Sequence, residues 1–117
     1  MDDLVERLLN KQPIDFESRT DSMEEVKERL IEMKFVFVTF TETSGGTELG
    51  INVDLDLTDI ENADFDKGTG TIRVAGICTL NYQKVRCIAE VDLSTKKGAG
   101  YLELLEEDGG PMPTTVN

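Results

Sequence analysis

The sequence predicts an α+β fold in which two N-terminal helices pack on one face of an antiparallel meander sheet of about five strands. Three observations carry that expectation. Apolar residues recur at helical spacing up to Lys34 and at every second position beyond it. Strand-like runs then come in pairs around short polar turns, as hairpins do. No repeat and no linker divides the 117 residues, a length that suits one domain able to bury about two-thirds of its unfolded surface.

The first helical segment is DDLVERLLN. Asp3 is expected to cap it, with Glu6 returning the bond, while Leu4, Val5, Leu8 and Leu9 form the apolar stripe. Pro13 is expected to stop the segment shortly after Asn10. In DSMEEVKERLIEMK the same box recurs with Ser22 and Glu25, and Met23, Val26, Leu30 and Met33 make the buried stripe. The opposite side, rich in Glu, Lys and Arg, is a solvated face.

From Phe35 the period becomes two. KFVFVTFTETSGGTELGINVDLDL reads as two strands about Gly45 and Gly46. A two-residue turn there sets Val36 opposite Leu55, Val38 opposite Val53 and Phe40 opposite Ile51. It leaves Phe35 and Phe37 beside Asp56 and Asp54 on the other face. The second hairpin, TIRVAGICTLNYQKVRCIAEVDL, turns around Tyr82 and Gln83 and sets Ile72 opposite Leu93, Val74 opposite Val91 and Cys78 opposite Cys87. In STKKGAG, Gly98 is expected in the left-handed position of a bulged turn, with GYLELL as the fifth strand. Residues 1–105 form the domain, and the acidic, Gly- and Pro-containing residues 106–117 are expected to be a disordered tail. Such a sheet can curl around a helix, roll into a partial barrel or stay open, and the free edges of the open form would allow self-association through an edge strand.

Composition narrows the function. Twenty-four acidic residues face twelve basic ones, a formal charge of −12. Such a field repels nucleic acid and anionic membranes and attracts cations or basic protein surfaces. No apolar run approaches the roughly 18 residues of a membrane span, the acidic N-terminus lacks the cationic start of a secretory signal, and two cysteines without a signal point to free thiols in the cytoplasm. With no histidine there is no Ser-His-Asp triad, no Cys-His pair and no imidazole ligand. No glycine-rich phosphate fingerprint is present. Glu90, on the mixed face of its strand, and Glu103, between Leu102 and Leu104, are the carboxylates nearest an apolar setting, and they supply no catalytic pair. A non-enzyme is expected.

The charge is uneven. Between Phe35 and Asp66 there are eight acidic residues and no basic one. The first functional reading is a binding or regulatory domain whose acidic face and loop, residues 48–66, dock a basic protein partner. Its contact residues are Glu48, Asp54, Asp56, Phe35 and Phe37, since aromatic groups within a charged surface resemble an interface. The alternative is a Ca²⁺ or Mg²⁺ site built from Asp54, Asp56, Asp59, Glu61, Asp64 and Asp66. An EF-hand is excluded, because counting from Asp54 puts Asp59 where the turn Gly belongs and Phe65 where the bidentate Glu belongs. A second alternative is a small apolar ligand enclosed by sheet and helices against Phe35, Phe37 and Phe40. Cys78 and Cys87, side by side on adjacent strands, are expected to act as small hydrophobes rather than as a redox pair.

Overall fold

The computed structural model describes residues 2–105, so the expected disorder of 106–117 lies outside the described residues. The order is α1 (Asp3–Leu8), β1 (Gln12–Phe16) and α2 (Met23–Lys27), which runs directly into a π-helix (Glu28–Met33). There follow β2 (Phe35–Phe40), β3 (Thr47–Val53), a 3-10 turn (Leu55–Leu57), β4 (Thr71–Leu80), β5 (Gln83–Asp92) and β6 (Lys97–Leu104). The six strands are antiparallel and close into a barrel, with β1 pairing both β2 and β6.

The α+β class and the antiparallel sheet stand; the open meander of about five strands does not. The difference is β1. Its Ile14 and Phe16 turn inward and are buried, while Pro13 sits exposed opposite Ala99. A proline demotes so short a run when it is read alone, yet here its missing N–H is tolerated because the neighbouring residues hold the ladder to both sides. Every strand now has two neighbours, so the free edge that suggested self-association is absent among the described residues.

Inward-facing residues of all six strands make one apolar cluster, among them Phe16, Val38, Phe40, Ile51, Val74, Val91 and Leu102. Val5 and Leu8 of α1 and Val26 and Leu30 of the second helical segment join it. The helices do not share a face. α1 leads into the start of β1, and its cap residue Asp2 accepts from Asn81 Nδ2 of the β4–β5 turn at 3.0 Å. α2 and the π-helix connect the end of β1 to the start of β2, at the other end of the barrel. The two helical segments therefore close opposite ends.

Local details differ for identifiable reasons. Asp2, not Asp3, caps α1, accepting from the N–H groups of Leu4 and Val5 at 2.9 and 3.2 Å. Ser22 caps α2 as expected, but Glu25 turns instead to Thr20 Oγ1 at 2.7 Å and to Arg29 Nη2 at 2.9 Å. In the first hairpin Val36 faces Ile51 and Val38 faces Leu49, across a loop of residues 41–46. Buried Thr43 holds this longer loop through Phe40 O at 3.3 Å and Thr47 Oγ1 at 2.7 Å. The second hairpin turns on Asn81 and Tyr82, both left-handed (φ 48 and 68), so Ile72 faces Val91 and Cys78 faces Val85. Both registers moved by an even number of residues, which preserves the inward set while changing every partner. At the third turn Lys96 takes the left-handed position (φ 57). Gly98 has a different cause: a Cβ there would lie 1.8 Å from Glu90 O on the paired strand.

Candidate functional site

Strand direction brings three connections to one end of the barrel, the short β5–β6 turn and two longer ones: α2 with its π-helix, joining β1 to β2, and residues 54–70, joining β3 to β4. The two longer ones meet. Val53 N donates to Lys34 O at 2.8 Å, and Met23 Cε lies 3.5 Å from where a Cβ on Gly68 would sit. The first connection contributes Asp21, Glu24, Glu25, Glu28 and Glu32; the second contributes Asp54, Asp56, Asp59, Glu61, Asp64 and Asp66. Against these eleven carboxylates the same two connections carry Arg19, Lys27, Arg29, Lys34 and Lys67, and Lys96 of the β5–β6 turn reaches the same end, its Nζ bonded to Glu17 O. Two large apolar side chains are exposed here as well, Met33 at 58% and Leu57 at 43%. The sequence reading marked the second segment alone, because no basic residue interrupts its acids from Asp54 to Asp66, whereas Lys27 and Arg29 intersperse those of the first.

The acids of 54–70 are placed by their own backbone. Asp54, Asp59 and Asp64 each use Oδ1 to accept, at 3.0 Å, from the N–H of Asp56, Glu61 and Lys67 respectively. Such local bonds are why Asp initiates turns. The segment is also laid against β4: Asp59 and Arg73 exchange backbone bonds at 2.8 and 2.9 Å, and Ala75 N donates to Thr58 Oγ1 at 3.1 Å. The carboxylates are thus strung along the barrel end. Among the described residues no three Asp, Glu or Cys side chains gather where one metal ion could touch them all. A Ca²⁺ or Mg²⁺ shell needs six or more converging oxygens, and Asp54, Asp56, Asp59, Glu61, Asp64 and Asp66 are spread along the connection in this structure.

The change of register separates the expected contact residues. Phe35 faces Asn52 and Phe37 faces Gly50 on the outer wall. Their rings meet edge to face, centroids 5.4 Å apart. The Phe35 ring covers Gly50, where a Cβ would lie 2.5 Å from Cζ. Arg19, which the sequence did not mark, places its guanidinium 4.3 Å above the Phe37 ring and pairs through both Nε and Nη2 with Glu48. Glu48, Phe35 and Phe37 therefore belong together, with the charge of Glu48 answered. Asp54 and Asp56 lie beyond the strand, in the acidic end.

Phe40 points into the barrel and is fully buried, so it does not line a cavity with the outward Phe35 and Phe37. Cys78 and Cys87 are not directly opposite. Cys78 faces Val85 and Cys87 faces Gly76, which makes the thiols diagonal neighbours. Both are free, and burial pushes them up to about 11 for Cys78 and about 12 for Cys87. Glu90 and Glu103 lie on the outer wall, near Lys11 at 3.4 Å and Arg86 at 3.8 Å.

The buried carboxyl is Glu17, which no pattern flagged. The sequence reading assigned no element to residues 12–17, and strict alternation with Ile14 and Phe16 would turn both Asp15 and Glu17 outward. A left-handed backbone at Glu17 (φ 47) breaks the alternation and turns its side chain in. None of the described helices is long and apolar enough to cross a membrane. No protein-family model matches the chain, and no curated protein matches it in sequence.

Proposed function

We propose that the chain is a small, non-catalytic binding domain whose acidic end docks a basic protein partner. The observation that supports this reading is the gathering, at one end of a closed barrel, of eleven carboxylates against six cations, with the side chains of Leu57 and Met33 exposed at the same end. Charge of one sign steers an oppositely charged partner and sets orientation, while desolvated apolar groups supply most of the affinity. Asp54 and Asp56 belong to this surface; Glu48, Phe35 and Phe37 form a separate patch on the outer wall, where Arg19 pairs with Glu48 and lies over the Phe37 ring. The free thiols suit a reducing compartment, and a cytoplasmic location is part of the proposal.

The test is a photo-crosslinking residue at Leu57, with the same probe at Tyr82 as the control, used in native cells. The reading expects a basic protein captured at Leu57 and not at Tyr82, with capture lost when Asp54, Asp56 and Asp59 become Asn. Equal capture at both positions would count against it. So would capture that persists in about 1 M salt, where charges are screened beyond about 3 Å.

A further inference from the structure

Glu17 is the only buried acidic residue among the described residues. It follows the last β1 residue, and the β1–β2 ladder continues through it in an unusual way. Glu17 N donates to Phe37 O at 3.0 Å, but Phe37 N donates to the side-chain Oε2 of Glu17 at 2.6 Å. The left-handed backbone has swung the carbonyl out of the ladder, where it accepts from Thr20 N at 3.3 Å and Lys96 Nζ at 3.0 Å. A carboxylate oxygen takes the place of a backbone carbonyl.

The second oxygen is poorly served. Oε1 lies 3.2 Å from Arg29 Nε, yet that N–H is directed at Glu25 Oε1, also at 3.2 Å, as is Nη2 at 2.9 Å. Oε1 therefore has a neighbouring charge without a hydrogen bond. Four elements converge here: β1, β2, α2 with the π-helix, and the β5–β6 turn. The charged groups facing Glu17 are Arg29 and Lys96, which favour its ionised form, and Glu25, which opposes it. Removal from water outweighs the donors and cations and pushes the Glu17 carboxyl above the ordinary glutamate range.

We infer that Glu17 is a proton-operated latch on the α2–π segment: protonated, it seats the β1–α2 junction against β2; ionised, it weakens that seat and the segment opens more readily. The sense follows from linkage. A carboxyl that binds its proton more tightly when closed than when open favours the closed state at low pH, and that contribution is lost as pH rises through the closed-state value. The segment carries four of the carboxylates at the acidic end, Glu24, Glu25, Glu28 and Glu32, so the latch governs how firmly that surface is held. The inference concerns the free protein and does not depend on the partner.

The experiment is amide exchange at Phe37 N–H between about pH 8 and about pH 5, a range over which ordinary carboxylates stay ionised. Rates are corrected for intrinsic exchange and compared with amides of the β4–β5 ladder, which report global unfolding. The carboxyl ¹³C shift of Glu17 is followed in parallel. Relative protection at Phe37 should rise as pH falls, in step with the Glu17 titration. Glu17→Gln should abolish the rise, and Arg29→Gln, by removing the cation nearest Oε1, should move the titration to higher pH and enlarge it. A flat ratio, a rise that survives in Glu17→Gln, or a Glu17 midpoint in the ordinary glutamate range would each overturn the latch. If Glu17→Gln fails to fold, the carboxyl titration and Arg29→Gln still decide.

Discussion

Replacing Tyr82 with Gly should stabilise the protein. Tyr82 is the second residue of the two-residue turn between β4 and β5, with φ 68, and its side chain is fully exposed at 103%. Truncating it removes no buried surface. A side chain in the left-handed region costs about 1–2 kcal/mol, whereas glycine adopts that region freely. Against this, glycine loses about 0.5–1 kcal/mol more chain entropy on folding. The difference is a gain of about 0–1.5 kcal/mol, centred on about 0.75, and it creates the Asn-Gly pair that such turns favour. Near the melting temperature of a domain this size, the gain should appear as an increase of about 2–4 °C. Urea unfolding of wild type, Tyr82→Gly and Tyr82→Ala is the assay. Alanine keeps the backbone penalty and should stay within about 0.5 kcal/mol of wild type. A Tyr82→Gly variant less stable than wild type would refute the reasoning, because it would mean that the ring makes contacts that hold the turn.

Other outcomes follow from the same geometry. Phe16→Ala should cost about 3–5 kcal/mol in denaturant unfolding, because Phe16 is fully buried in the strand that closes the barrel; a neutral result would contradict closure through β1. Gly98→Ala should cost about 1–3 kcal/mol, since its Cβ would meet the Glu90 carbonyl on the paired strand, and amide exchange should show the loss in β5 and β6. With thiols raised to about 11 and about 12, native protein should react slowly with a disulfide reagent at neutral pH, Cys78 ahead of Cys87, and both fully once unfolded. Asp92 is held below its ordinary range by the Ser94 hydroxyl and N–H, so it contributes stability above the unfolded carboxyl value that is lost as pH falls through the lower folded one. The stability difference between wild type and Ser94→Ala should therefore narrow as the solution is acidified through that window.

Much of the molecule was legible because it is local. Which residues of β2 to β6 face inward follows from a period of two. That assignment survived two wrong registers because each error was even, so Val36, Val38 and Phe40 stayed inside whichever partners they met. Ser22 as a helix cap and the two free thiols, Cys87 buried and Cys78 half-buried, were equally local readings. The loop at 41–46 was not legible, because its length is set by the burial of Thr43 rather than by the Gly-Gly pair. Nor was closure. β1 exists as a strand because Asp15 reaches Lys97, 82 residues away, as well as β2, and pairing between such distant segments leaves no mark in a short window. The acidic end and Glu17 share that origin. The sequence by itself determined how many carboxylates there are and which segment is densest in them. Only the tertiary structure decided that two separate segments present them at one end of the barrel, and that one carboxyl is drawn inside, because the burial of a charge depends on what the rest of the chain brings around it.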